Sequence, residues 1–227
     1  MADRTRPVAR HRRSLRALAV TLAASAVLTA CGGRAEPLNP MVNSEISSDS
    51  MYGQVLDEEP YVVPDVTLTS TEPGEPDFSL TESTDADLTL VFFGYTNCPD
   101  ICQMVMANVA NALTRLDDAQ RDRVQVLFVT TDPARDDVAT LRSYLERFDP
   151  SFVGLTGDLA TLQEAAAGFA VYFEDGQRLA SGGYDVTHSD QVNGMDADDT
   201  VPILWLRDTS PYELATDLDT LLSRDAS

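Results

Sequence analysis

Lysine is absent from this chain of 227 residues, and all 16 of its basic side chains are arginines. Against them stand 37 Asp and Glu residues, for a formal net charge of −21. A body this acidic excludes nucleic acid as a natural partner, since binding to phosphates needs basic patches. It would draw cations and basic protein surfaces instead, and most of its charges are expected on solvated faces. Soft ligands are as scarce as lysine, with two histidines, His11 and His188, and three cysteines, Cys31, Cys98 and Cys102. No internal repeat, phosphate loop or nucleotide fingerprint is present, nor any Gly-x-Ser-x-Gly elbow of a serine hydrolase.

The first thirty residues read as a secretion signal. A basic stretch with Arg4, Arg6, Arg10, Arg12, Arg13 and Arg16 precedes an apolar run from Ala17 to Ala30. That run falls short of the about 20 apolar residues a transmembrane helix needs. It ends in Leu28-Thr29-Ala30-Cys31-Gly32-Gly33, which resembles the lipobox of bacterial lipoproteins. The resemblance implies lipidation at Cys31, removal of residues 1–30 and anchoring on the outer face of the bacterial cell membrane. Two acyl chains, at about 0.8 kcal/mol per buried methylene, hold firmly. An ordinary signal peptide is the alternative, and Arg12-Arg13 suits twin-arginine export or a routine basic n-region equally. Processing would leave ten arginines against 36 acids, a balance of −26. The extracytoplasmic compartment permits disulfides.

Residues 31–60 are polar, acidic and aperiodic, as in a flexible tether. Residues 61–227 carry the pattern of one folded domain. Val66-Thr67-Leu68 and Phe78-Ser79-Leu80 alternate like short strands across the turn-rich segment 72–76. Leu88 to Phe93 and Val124 to Val129 are apolar runs typical of strands buried on both faces. Helical periodicity marks Val105 to Leu116, Val138 to Phe148 and Leu159 to Phe169. Val171 to Phe173 and Val201 to Leu206 read as strands, and Pro211 to Leu222 as a closing helix with proline in its first turn. Such alternation predicts an α/β domain whose helices cover a sheet. Ligands in such folds sit beyond the carboxyl ends of the strands, where Cys98 and Cys102 fall.

Cysteines four residues apart share a helix face, so their sulfurs can converge. At a helix N-terminus the macrodipole favours thiolates, the form that binds metals and attacks disulfides. Two thiolates and an imidazole make a soft mixed set that suits copper. Zinc would want a fourth protein ligand, for which Asp100 is a candidate. A purely structural disulfide is the competing explanation for the pair. His188 lies in the polar segment Tyr184 to Asp190, read as a loop, and is either a ligand or a plain surface histidine.

The segment Val91-Phe92-Phe93-Gly94-Tyr95-Thr96-Asn97-Cys98-Pro99-Asp100-Ile101-Cys102 resembles the signature of the Sco/SenC family. The likeness continues through Phe128 to Asp136, Tyr144 to Pro150, Phe152 to Gly157, His188-Ser189 and Ser210-Pro211, covering residues 60–223. It implies a thioredoxin-like fold, a central mixed sheet flanked by helices. It also implies membrane tethering and copper, as Cu(I) or Cu(II), bound by Cys98, Cys102 and His188. The implied partners are a copper donor protein and the cytochrome c oxidase subunit that carries the CuA site. Asp132 matches a family aspartate near the metal loop, or forms the turn before Pro133. Some positions depart from the pattern. Asn97 stands where a histidine is common, Gln103 where proline is common, and 191–199 is more acidic and Gly-interrupted than the usual apolar strand. Val201-Pro202 is expected in the last hairpin, with the proline marking an edge.

Two functions follow. One is a membrane-tethered copper carrier that helps assemble the CuA site. The other is a thiol–disulfide oxidoreductase for which Cys98 and Cys102 suffice and His188 is incidental.

Overall fold

The computed structural model describes residues 51–56, 59–99, 101–178 and 184–224, with the backbone alone at 175–178, 184–188 and 224. Cys31, Asp100 and the His188 side chain lie outside the described residues. No helix among the described residues is long and apolar enough to cross a membrane.

Leu88–Gly94 forms β5, buried at all seven positions, because strands cover both of its edges and side chains cover both of its faces. It pairs in parallel with β6 (Val124–Thr130), and β6 with β7 (Val153–Thr156). Parallel neighbours need crossovers. Helix α1 (Ile101–Leu113), followed by the short α2 (Asp118–Arg121), supplies the first, and α3 (Val138–Leu145) the second. On the far side of β7 lies the antiparallel pair β3 (Thr67–Ser70) and β4 (Asp77–Ser79). On the other flank β5 pairs antiparallel with β10 (Val192–Asp196), β10 with β12 (Ile203–Trp205), and β12 with β1 (Gln54–Val55). The result is an eight-stranded mixed sheet in the order β1-β12-β10-β5-β6-β7-β3-β4. Helix α4 (Leu159–Gly168) packs near β3, and α5 (Pro211–Arg224) packs beside α1. Two small pairs complete the set, β2 (Tyr61–Val62) with β11 (Thr200–Val201) and β8 (Phe173–Arg178) with β9 (Tyr184–His188).

Several acids expected on solvated faces have structural duties. Asp137 and Asp158 cap α3 and α4, accepting from the N–H groups of Thr140 at 2.8 Å and of Ala160 at 3.1 Å. Asp117 and Gln120 form a reciprocal capping box at α2, and Ser210 and Glu213 satisfy one another in the same manner at α5. Buried Asp217 accepts from Trp205 Nε1 at 2.8 Å and from the N–H groups of Gly53 at 2.8 Å and Tyr52 at 3.0 Å. Those bonds draw residues 52–56, assigned to the tether by composition, onto the sheet edge as β1.

Three expectations change. Tyr184–His188 is a strand, β9, rather than a loop. The acidic, Gly-interrupted stretch after it is β10, next to the most buried strand. Gly194 permits this, because a Cβ there would meet Ile203 Cγ2 and Trp205 Cζ3 at 2.9 Å. Asp196 then closes the turn, accepting from the Thr200 N–H at 2.9 Å and hydroxyl at 2.8 Å. Finally, Pro202 separates β11 from β12, but β1 lies beyond β12 and takes the edge.

Candidate metal and thiol site

The chain leaves β5 at Gly94 and turns at once, with the Cys98 N–H donating to the Tyr95 carbonyl at 3.2 Å. Helix α1 starts three residues after Cys98 and buries Cys102, Val105, Met106, Val109, Ala112 and Leu113 along one stripe. Cys102 is therefore a core residue, fully buried, while Cys98 is 6% exposed at the rim. The backbone N–H of Cys102 points to Cys98 Sγ at 3.4 Å, and the two sulfurs are not joined in a disulfide. Gly94 makes room for this approach. A Cβ there would stand 2.7 Å from the Phe92 ring and 3.0 Å from Cys102 Sγ.

The helix start does not leave both sulfurs poised as thiolates. A hydrogen bond with the Cys98 thiol, and then burial, push the Cys102 thiol far above the ordinary thiol range. Metal or disulfide chemistry at Cys102 therefore works against this shift.

The loop before Cys98 is held by a residue that the sequence did not single out. Asp136, fully buried, accepts from the Thr96 N–H at 3.0 Å, the Thr96 hydroxyl at 2.6 Å and the Thr130 hydroxyl at 2.8 Å. Burial pushes its carboxyl up, and these three bonds pull against that shift. Asp132 is also buried. Its carboxylate pairs with the Arg135 guanidinium, which lies 5.7 Å from the Tyr95 ring centroid. Its backbone carbonyl accepts from Arg135 and Asp136, so it forms a turn as well as an ion pair. Only the repeated acids of 132–137, with Thr at 130 and 131, hinted at this network, and sequence could not say which acid faced inward.

The register of β10 on β5 brings the backbone that follows the histidine to the end of the sheet where the cysteine loop begins. His188 stands opposite Phe173 in the β8–β9 pair, and four residues later Val192 stands opposite Phe92. Since β10 is antiparallel to β5, residues before Val192 lie beyond the carboxyl end of β5, where Gly94 leads into the cysteine loop. Gln191 helps fix this segment through its amide, donating to the Phe169 carbonyl at 3.4 Å and to Asn193 Oδ1 at 3.3 Å. Among the described residues no group of three His, Cys, Asp or Glu side chains converges as a metal cage, so two sulfurs are the donors in view.

A dithiol where the central strand of a mixed sheet becomes a helix, with helices flanking the sheet, defines a thioredoxin-like domain. Within that class, the chain belongs to the SCO1/SenC family, whose model matches residues 74–223. It is 37% identical over 126 residues to the mitochondrial protein SCO2 homolog of Danio rerio, covering 51% of this chain and 45% of that protein. The chain thus spans less than half the length of that relative. The solution structure of apo Sco1 from Thermus thermophilus has a TM-score of 0.63 at 30% identity, covering 78% of this chain and 98% of that one. ScoI of Bradyrhizobium japonicum, solved with copper bound, has a TM-score of 0.62 at 30% identity, covering 70% and 98%.

Proposed function

We propose that this chain binds copper through the thiolates of Cys98 and Cys102 and the imidazole of His188. In this role it would carry the ion, as Cu(I) or Cu(II), toward the CuA site of cytochrome c oxidase. The observation that carries the proposal is the pair of adjacent sulfurs at the strand–helix junction, with the His188 strand returned to the same end of the sheet. The relative from Bradyrhizobium japonicum, solved with copper bound, supports the choice of ion. Two soft sulfurs and a nitrogen also favour copper over harder ions. Copper is cargo here, so the donor set has to release it. A rim sulfur such as Cys98 offers the first point of ligand exchange with a copper donor or an acceptor subunit. In the same proposal Cys31 carries the lipid, residues 31–60 tether the domain, and the domain works outside the cytoplasmic membrane.

Anaerobic titration of the reduced chain tests the ligand set. Wild type should bind one copper per chain, Cys98→Ser and Cys102→Ser should abolish tight binding, and His188→Ala should weaken it sharply. Unchanged affinity in His188→Ala removes the histidine from the site.

The adjacency of the sulfurs also favours a second role, reduction of a partner disulfide. Cys98 and Cys102 would each give up a proton and together two electrons, ending as a disulfide while the partner gains two thiols. A reduction potential above that of the acceptor pair would reject this role.

A further inference from the structure

Beside the cysteine loop lies an open cavity of about 250 Å³ lined by Thr96, Thr140, Ser143, Tyr144 and Arg147. Thr96 is two residues from Cys98, and both cysteines contribute to the upward shift of the Tyr144 hydroxyl, after burial. The cavity therefore adjoins the exchange site without including either sulfur. Its one charged wall is Arg147. Among the arginines with described side chains, most already have an anion. Arg121, Arg123, Arg135, Arg142 and Arg207 each meet a carboxylate. Among arginines with described side chains, only Arg115 and Arg147 meet none. Arg115 follows the far end of α1, whose 13 residues span about 20 Å at 1.5 Å each. Arg147 lines the cavity that Thr96 shares, its guanidinium 4.6 Å from the Tyr144 ring centroid and its Nε–H donating to the Tyr144 carbonyl at 3.2 Å. Arg147 is exposed at this wall, and a guanidinium fork with N–H groups to spare can receive a carboxylate. Thr140 and Ser143 add hydroxyls around it, while the Thr96 hydroxyl is already given to Asp136.

We propose that this cavity receives an acidic side chain of the protein that exchanges copper or electrons with Cys98 and Cys102, with Arg147 as the residue that selects it. The inference rests on the assignment of those cysteines as an exchange site. A net charge of −21 repels acidic partners at long range. A cation in the cavity beside the cysteine loop opposes that repulsion within about one Debye length, about 8 Å at physiological salt, and so favours a partner that places a carboxylate near its own sulfurs.

The test uses the reduced full chain without metal, so that it does not depend on copper binding. Two cystine-bridged peptides, identical except for Glu or Gln beside the cysteines, and two small disulfides, anionic dithiobis-nitrobenzoate and neutral dithiodipyridine, serve as probes. Each reacts by attack of a thiolate on one probe sulfur with loss of the other sulfur as a thiolate. The second cysteine of the chain then displaces the bound half. Wild type should prefer the acidic member of each pair, and Arg147→Gln should lower the acidic-to-neutral rate ratio about threefold to tenfold. Arg147→Lys should restore part of it, and high salt should erase the difference. Arg115→Gln removes the same charge at the far end of α1 and should leave the ratio unchanged. Equal ratios in Arg147→Gln and Arg115→Gln overturn the proposal, as does a wild-type preference for the neutral probes. Loss of copper binding with these ratios intact would instead overturn the copper assignment alone.

Discussion

The carboxylate of Asp136 grips Thr96 twice, accepting from its backbone N–H at 3.0 Å and from its hydroxyl at 2.6 Å. One buried acid 38 residues beyond Cys98 thereby sets where the cysteine loop leaves the sheet. Asp136→Ala would strand one buried donor, the Thr130 hydroxyl, and two part-buried donors of Thr96, at a cost of about 2–3 kcal/mol. Urea denaturation should show that loss, and Cys98 should alkylate faster with iodoacetamide as the loop loosens. Asp136→Asn keeps an acceptor oxygen and should fall between the two. Wild-type midpoints in both variants would mean that the loop is held elsewhere.

Gly94 bears on the sulfurs directly. Gly94→Ala would force its Cβ against the Phe92 ring and Cys102 Sγ, neither of which has room to withdraw. Overpacking of this kind costs about 1–3 kcal/mol. The accompanying shift of Cys102 should lower copper affinity and disulfide exchange rates together. A variant with wild-type stability and affinity would show that the strand end yields without moving the sulfur.

Tyr144 offers the opposite sign. Its ring is buried between Phe128 and Phe148, yet its hydroxyl has no hydrogen-bond partner among the described residues. Removing an unsatisfied buried polar group while keeping its shape can stabilise a fold, here by up to about 1 kcal/mol. Tyr144→Phe should raise Tm or leave it unchanged, whereas Tyr144→Ala should cost about 3–5 kcal/mol through the cavity it opens. A fall in Tm for Tyr144→Phe would reveal a partner for the hydroxyl, such as a buried water.

Asp217 ties the tether to the domain. Asp217→Ala removes the acceptor for the Trp205 indole and for the N–H groups of Tyr52 and Gly53. We expect β1 to detach first, because it is a two-residue edge strand. Limited proteolysis should then cut within residues 52–56 of the variant and spare the wild type. Resistance to cutting in both would show that pairing with β12 alone keeps β1 in place.

The helix caps give a defined pH response. Hydrogen bonds from Thr140 hold the Asp137 carboxyl below the usual carboxylate range, and those from Thr161 do the same for Asp158. A depressed folded value means that the ionised form is the one the fold prefers. Their contribution is complete above the unfolded value, about 3.9, and is lost as pH falls through and below it. Acid titration of stability should be shallower in an Asp137→Asn, Asp158→Asn double variant, since asparagine caps without titrating. An unchanged slope would assign acid sensitivity to other groups.

Local pattern carried a large part of the architecture. The runs Leu88–Phe93 and Val124–Val129 are the two innermost parallel strands, and three periodic stretches became α1, α3 and α4 with shifts only at their ends. Segments whose state depends on distant partners were not legible. Val153–Thr156 is too short to announce itself and is a strand because β6 and β3 pair with it. Tyr184–His188 is polar and reads as a loop, but β8 offers it a partner. Residues 52–56 look like tether until Asp217, far along the chain, supplies acceptors for their N–H groups.

At the site the division is equally plain. Sequence alone determined which atoms are available for soft chemistry, because beyond Cys31 the chain has two cysteines and one histidine. The four-residue spacing and the neighbouring buried strand also placed those cysteines at a strand–helix junction. Tertiary structure decided the rest. It made Cys102 a core thiol, which a hydrogen bond with Cys98 and then burial push above the ordinary thiol range. It chose Asp136 as the acid that holds the loop, and it left Arg147 without a carboxylate in the cavity beside that loop. Through the antiparallel register of β10 on β5, it carried the His188 backbone to the cysteine end of the sheet. Burial, pairing register and charge proximity are properties of residues distant in sequence, and they exist only once the sheet has closed.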